Sequence, residues 1–460
     1  LDDNRNLWGR NINGIPIKSP EDITDFSGDL DEIYLAIPSL KMIERRRILL
    51  RLKKFNYPVS EIPSIEEITS GKLKINNLKP LKIEELLERN EVISDVSCLS
   101  SILENSTILI TGAGGSIGSE ICRQILKIKA KKIIMLDNCE SNLYQINLES
   151  EKLSNQNVKL LPLLGNACDI SLVKDICLKN QVDIIYHAAA YKHVPIVEHN
   201  LAEGVKNNVL GTLCLAKASL KTGVDDFVFI STDKAVRPTN VMGATKRLCE
   251  ICLLSLFADE SENESTKFSM VRFGNVLDSS GSVIPKFRKQ IKERVPLTVT
   301  HSEITRFFMT IQEAAELVIQ AGAMAKGGDI FVLDMGQPVK IAELAPQMIE
   351  LSDYVPDRDI PIQFTGLRPG EKLYEELLID PKQVEGTAHP RIFRSFEPLP
   401  ETMTIQSELG ALRKAIAEND LEAALSVMCR LVPEYGPLEQ SQLLENHSSV
   451  DNSSSSGLMN

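Results

Sequence analysis

A doubly wound parallel α/β fold is what the sequence predicts, and three observations carry it. An apolar run, Ile108-Leu109-Ile110, leads into the glycine-rich turn Thr111-Gly112-Ala113-Gly114-Gly115-Ser116-Ile117-Gly118, and a helical pattern at Ile121, Ile125 and Ile128 follows. A second strand, Lys132 to Asp137, ends in a carboxylate about twenty residues further on. Short apolar runs then alternate with helical stretches as far as Phe273, as a parallel sheet with crossover helices requires. The expectation is a doubly wound parallel sheet with a smaller α/β substrate domain after it and a partial α/β domain before it.

Strand, glycine turn and helix are the context in which a glycine fingerprint means dinucleotide binding, so the sheet is of the Rossmann type. Gly112, Gly115 and Gly118 permit the tight turn, bring backbone N–H groups to a pyrophosphate, and let the helix pack on its strand. Asp137 would accept a hydrogen bond from a ribose 2′-hydroxyl and repel a 2′-phosphate. NAD is therefore favoured over NADP.

Residues 1–93 form the N-terminal partial domain. A polar turn, Asp2-Asp3-Asn4, and the turn Gly14-Ile15-Pro16 precede strand-like pieces at Glu32 to Ile37 and Pro58 to Ile62. Between these lies a basic helix, Lys41 to Lys54, whose Arg45-Arg46-Arg47 run reads as a solvated face. Residues 94–105 are a polar linker, and 106–275 are the NAD-binding domain. Its further strands are Val158 to Leu164, Val182 to His187, Phe227 to Ser231 and Phe268 to Phe273, apolar enough to be buried on both faces. Residues 276–400 loosen into proline- and glycine-punctuated loops with helices at Gln312 to Ala325 and Ile341 to Leu351 and a strand at Ile330 to Leu333. They read as a smaller domain covering the carboxyl edge of the sheet, where ligands bind in open α/β folds. Residues 401–440 carry the spacing of a helix pair, and the serine-rich 441–460 reads as a disordered tail.

Composition narrows the function. Over 460 residues the net charge of −12 argues against a general nucleic-acid surface or an anionic membrane face. Nine scattered cysteines suit reduced thiols in a cytoplasmic setting. Cys249 and Cys252 form a CxxC inside a helical stretch, but with no second pair nearby they read as packing, and no metal site is expected. No apolar run approaches a membrane span.

The strand ending Phe229-Ile230-Ser231-Thr232-Asp233-Lys234 delivers polar side chains to the sheet's carboxyl edge, where an Asp–Lys pair could serve as acid and base. Met242 and Lys246 lie one helical turn apart on a shared face.

With these residues in view, the chain resembles the extended short-chain dehydrogenase/reductases, whose catalytic pair is Tyr-x-x-x-Lys. Within them it is similar to the polysaccharide-biosynthesis (CapD-like) UDP-N-acetylglucosamine 4,6-dehydratases. The matching stretches are Thr111 to Glu120, AAAYKHVP from Ala188, STDKAVRPTNVMGATK from Ser231, VRFGNVLDSSGSVIP from Val271, TRFFMT from Thr305 and GLRPGE from Gly366. The first hundred residues resemble the middle domain of long, membrane-anchored members. That resemblance implies an anchor upstream, a cytoplasmic location or one on the cytoplasmic face of the inner membrane, and a homo-oligomer.

The resemblance also implies roles. NAD would be held by Gly112, Gly115, Ser116, Ile117, Gly118, Asp137, Asn166, Ala188, Ala189 and Lys246. UDP-N-acetylglucosamine would be held by Lys192, Asn275, Arg306, Arg368 and Glu371, which would make 276–400 the UDP-sugar-binding region. Asp233 would be the acid and Lys234 the base, the latter with its pKa lowered by a dry pocket and neighbouring positive charge. Thr232 would bond the reacting hydroxyl. Met242 departs from the usual tyrosine, and a thioether cannot take a proton from an alcohol. Either the site is dead, or the chain belongs to the methionine-bearing subgroup that retains configuration at carbon 5. The intact Thr-Asp-Lys run favours the second. Thr232, a bound water and Lys246 are candidates for deprotonating the 4-hydroxyl. Asp278 stands where relatives usually have glycine. A UDP-sugar 4-epimerase and a non-catalytic NAD-binding module are the competing readings.

Overall fold

The computed structural model describes residues 103–436 apart from 129, 155–157, 260–265, 353, 380–381 and 398–401. Of the first hundred it describes 1–2, 4–20, 22, 33–37, 48, 52 and 59–61. The expected linker up to residue 102 and the tail 441–460 lie outside the described residues. Contacts divide the chain into two units, Leu1–Asn90 and Glu91–Asn460.

In the first unit Asn11–Ile12 pairs antiparallel with Ile15–Pro16 around Gly14, whose φ of 85° suits a residue without a Cβ. Ile33–Leu35 pairs in parallel with Val59–Glu61, at the two strand-like pieces seen in the sequence. Of the Lys41–Lys54 helix only Ile48 and Leu52 fall among the described residues, and both are helical.

In the second unit, alternation within each strand builds two cores at once. Along β5 (Asp226–Ile230), Phe227 and Phe229 point to one face of the sheet, and Val228 and Ile230 to the other. The same holds for β1 (Thr107–Thr111) and β4 (Ile184–His187), which are buried along their whole length, and for β2 (Lys132–Asp137), which is buried from Ile133 onward. With β3 (Lys159–Leu164), β6 (Lys267–Arg272) and β7 (Asp329–Leu333) they form a parallel array in the order β7-β6-β5-β4-β1-β2-β3. Helices α1 (Ser116–Ile125), α2 (Glu140–Leu153), α3 (Ile170–Asn180), α4 (Gly211–Thr222) and α5 (Val241–Asp259) cover the two faces. β3 departs from the expectation of full burial: Lys159, Pro162 and Leu164 are exposed because it is the sheet's edge.

The division expected at residue 275 needs correction. After β7 the chain makes β8 (Val384–Gly386) and β9 (Ile392–Ser395), and both join the same sheet, β9 lying antiparallel to β7. The sheet thus has nine strands, and three of them come from the region expected to stand apart. What covers the carboxyl edge is α6 (Val283–Glu293), α8 (Ile341–Leu351) and small strand pairs such as Thr305–Arg306 with Val339–Lys340. By contrast, α7 (Ile311–Ala323) packs on α1 and belongs to the sheet's own core. The C-terminal pair is α9 (Thr402–Ala417) and α10 (Leu421–Leu431). Their Ile405, Leu412 and Met428 share one buried cluster with Phe227 and Leu248, so these helices are part of the sheet unit as well.

Candidate active site

The turns after β1, β4, β5 and β6 surround one cavity of about 1010 Å³, and those after β1, β2 and β3 line a second of about 210 Å³. Gly112 has a φ of 66°, and a Cβ there would lie 2.7 Å from the Ala189 nitrogen. A Cβ on Gly118 would meet the Gly112 carbonyl at 2.1 Å. Gly112, the N-cap Gly115 and Gly118 therefore leave the backbone bare around the start of α1, the surface that a pyrophosphate needs. Asp137 ends β2 with one carboxylate oxygen accepting from Gly114 N and the other from Cys139 N, each at 2.8 Å. It lines the smaller cavity with Gly112, Asn166 and Ala189. Asn166 is exposed there and accepts from Cys168 N at 2.9 Å. Two glycine positions that admit no side chain and a carboxylate at the end of β2 fit the adenosine and pyrophosphate of a dinucleotide.

Gly115, Ser116, Ile117, Gly118, Ala188, Lys192, Thr232, Lys234, Met242, Lys246, Asn275, Arg306, Arg368 and Glu371 all line the larger cavity. Lys246 is brought there by α5 and donates to the Ile230 carbonyl at 2.8 Å, its ammonium 4.3 Å from the Phe229 ring centre. Burial lowers its pKa to about 8. Met242 is 3% exposed and packs into the core. Beneath them His187 is a structural histidine: Thr111 and Thr212 hydroxyls bracket it at 2.7 and 2.9 Å. Burial, then the charge of Lys246, pushes its pKa down to about 3.

The Thr-Asp-Lys run forms a hydrogen-bonded knot at the end of β5. Thr232 Oγ1 and Lys234 Nζ donate to the same Asp233 oxygen, at 3.0 and 2.9 Å, and Lys234 also donates to Asn275 Oδ1 at 3.0 Å. Two expectations change here. Asp233 has no exposed surface and does not line the cavity, so it reaches a ligand only through its neighbours. Lys234 was expected to have a lowered pKa. Burial does oppose its charge, yet the carboxylates of Asp233 and Glu375 outweigh burial and Arg306, and hold the ammonium above its ordinary value.

Arg306 and Glu371 face each other at 3.3 Å, and Arg368, 56% exposed, bonds the same glutamate at 3.1 Å. Asp278 takes a left-handed backbone, φ 55°, a conformation that favours glycine. Its carboxylate accepts from Arg288 at 2.5 Å. His193 lays its ring where a Cβ on Gly281 would stand. Cys249 and Cys252 are buried, free thiols, the former pushed up to about 12 by burial.

Sequence reasoning missed three buried groups. Asn208, on a π-helical turn at Val205–Leu210, donates to the Tyr191 carbonyl and Thr245 and accepts from Tyr191 N. Glu250 receives Ser231, Arg247 and Arg272, Glu397 joins both arginines, and Glu434 lies 3.5 Å from Arg247, so the two buried cations are held by carboxylates under the site. Glu375 lies near both Lys234 and Arg306. Apart from Arg247, three residues before Glu250, their partners are distant in sequence; only the acidic spacing after Glu371 could have drawn notice to Glu375.

A family model described as "Polysaccharide biosynthesis protein" matches residues 108–397. The chain is 48% identical over 359 residues to "Capsular polysaccharide biosynthesis protein CapD" of Staphylococcus aureus, which covers 77% of this chain and 59% of that protein. This chain thus spans about three-fifths of that relative's length. It is 35% identical over 280 residues, 60% of this chain and 78% of the other, to a protein named UDP-glucose 4-epimerase from Rickettsia canadensis. Among solved structures, Pen from Bacillus thuringiensis superposes with a TM-score of 0.59 at 35% identity, over 65% of this chain and 89% of that one.

Proposed function

Because the chain belongs to the polysaccharide biosynthesis protein family, as an extended short-chain dehydrogenase/reductase of the CapD type, we propose that it dehydrates UDP-N-acetylglucosamine to the 4-keto-6-deoxy sugar with NAD. The observation that carries this reading is the Thr232-Asp233-Lys234 knot, with hydroxyl and amine at the cavity and the carboxylate behind them. When bound, NAD would take a hydride from carbon 4 of the sugar and return it at carbon 6.

The chain's own residues handle the protons. Thr232 donates to Asp233, so as the 4-hydroxyl gives its proton to Thr232, the threonine passes its own to the carboxylate. The ketone formed at carbon 4 acidifies the proton on carbon 5, which Lys234 removes as a neutral amine. Asp233 then returns its proton through Thr232 to the 6-hydroxyl, which leaves as water. Lys234 gives a proton back to carbon 5 as the hydride arrives at carbon 6. Removal and return by one amine on one face retain configuration, and Met242 carries no proton. Arg306 and Arg368, which line the cavity, would hold the diphosphate, since a guanidinium fork suits phosphate oxygens.

Incubation with UDP-N-acetylglucosamine and NAD in deuterium oxide, read by mass and NMR, tests this. Loss of one water with deuterium at carbon 5 and the gluco arrangement kept is the expected result. An unchanged mass with a new sugar would replace the reading with a 4-epimerase, and no change with a non-catalytic module. The epimerase reading draws on the Rickettsia relative, but an epimerase has no use for an acid–base pair at carbons 5 and 6.

A further inference from the structure

The proton cycle just described needs Lys234 neutral at the moment carbon 5 is attacked, whereas the resting site holds it as an ammonium. Asp233 cannot relieve it, because Asp233 is already receiving the proton of the 4-hydroxyl. A third acceptor is required, and among the described residues one carboxylate is in place. Glu375 Oε1 lies 3.6 Å from Lys234 Nζ and 3.7 Å from Arg306 Nε. Its other oxygen is buried without a hydrogen-bond partner. The side chain lines the cavity with 3% exposure, and the strap carrying it is tied down on the Lys234 turn. Lys372 Nζ donates to the Val236 carbonyl at 2.9 Å, and Thr239 and Asn240 donate to the Gly370 carbonyl at 3.0 and 3.1 Å.

We propose that Glu375 stores the Lys234 proton during turnover, accepting it before the carbon 5 proton is removed and returning it at the end. The inference rests on the dehydratase reading, and its balance closes. At rest Asp233 and Glu375 are carboxylates and Lys234 is an ammonium. The 4-hydroxyl proton enters Asp233 through Thr232 while Lys234 passes one proton to Glu375. Lys234 takes the carbon 5 proton, and the Asp233 proton leaves with the 6-hydroxyl as water. Lys234 gives a proton to carbon 5, and Glu375 restores the ammonium. The sugar has lost one water and every group is back in its first state. The charged groups facing Lys234 are Asp233 on its own turn, Glu375 on the strap and Arg306 on the strand beneath. Arg306, sharing Oε1, steadies Glu375 until the proton arrives.

An internal transfer leaves kcat nearly independent of pH through neutrality, since Lys234 need not lose its proton to solvent within the cycle. Glu375→Gln removes the store, so Lys234 must lose its proton to water. Its kcat should fall about 100-fold near neutral pH and then climb about tenfold per pH unit, with KM little changed. Glu375→Asp should keep the flat profile at reduced rate. A loss that is the same at every pH would mark Glu375 as merely structural and overturn the proposal, as would undiminished turnover. Lysine-selective NMR of the resting protein, with Lys234→Ala to identify the signal, adds a readout that needs no substrate. In Glu375→Gln the Lys234 titration should move to lower pH, and an unmoved titration overturns the proposal whichever sugar the protein uses. Absence of water loss in the unmodified protein, with the titration moved, would instead reject the dehydratase reading.

Discussion

Under the proposed function, Asp137 would select the cofactor at the scale of one side chain. Its oxygens already hold the glycine turn through Gly114 and Cys139, so the carboxylate is fixed where a ribose would lie. Asp137→Asn should narrow the preference for NAD over NADP by about 10- to 100-fold, the worth of a charge-assisted hydrogen bond; calorimetric titration with both nucleotides measures it, and equal affinities in the unmodified protein would refute the role. Met242 gives a second prediction. It is buried among core side chains and carries no proton, so Met242→Ala should lower stability by about 2–5 kcal/mol while turnover falls less than about tenfold. A loss as large as that of Lys234→Ala would return Met242 to the chemistry. These residues were legible because the glycine spacing and the Thr-Asp-Lys run are local patterns. Glu375 was not, since it meets Lys234 only after the chain has folded back across the cavity.

At the scale of elements, α5 is set by what holds its first turn. Glu198 accepts from Val241 N at 2.9 Å, and its other oxygen is buried without a partner close to the Tyr435 ring end. Burial raises the Glu198 pKa to about 7. A carboxyl that binds its proton more tightly folded than unfolded favours the folded state below its ordinary pKa, near 4.5, and costs stability as pH rises through 7. Glu198→Gln keeps the acceptor and removes the charge. It should stabilise the protein by about 1–3 kcal/mol at pH 8 and by almost nothing at pH 4, as chemical denaturation at the two pH values would show. Equal effects at both would mean the carboxyl is not titrating. The parallel strands were readable from short apolar runs. β8 and β9 were not, because three or four residues between turns carry too little period to distinguish a closing strand from a loop.

For the whole molecule, the spacing of α9 and α10 was plain in the sequence, but amphipathic spacing does not say what a helix docks against. The structure puts them on the sheet, with the segment before them contributing Glu397 to Arg247 and Arg272 at 2.5 and 2.6 Å. Glu397→Gln leaves the two buried guanidinium groups with Glu250 and the partly exposed Glu434, and removing a partner from such a cluster costs about 3–5 kcal/mol. Urea denaturation should show that loss, and a change below about 1 kcal/mol would mean the cluster is more hydrated than its burial implies.

The antiparallel return of β9 beside β7 also has a consequence in time. A nascent chain leaves the ribosome from its N-terminus, and domains fold as units when their last strand is out. Here that strand ends at Ser395, and the glutamate that balances the arginines follows two residues later. Until then β7 offers an open ladder to any passing strand, and the two arginines beneath the Thr232-Asp233-Lys234 turn still lack Glu397. The glycine turn and β1–β6 are therefore synthesised before β9 and Glu397, which complete the sheet beside β7 and pair the buried arginines.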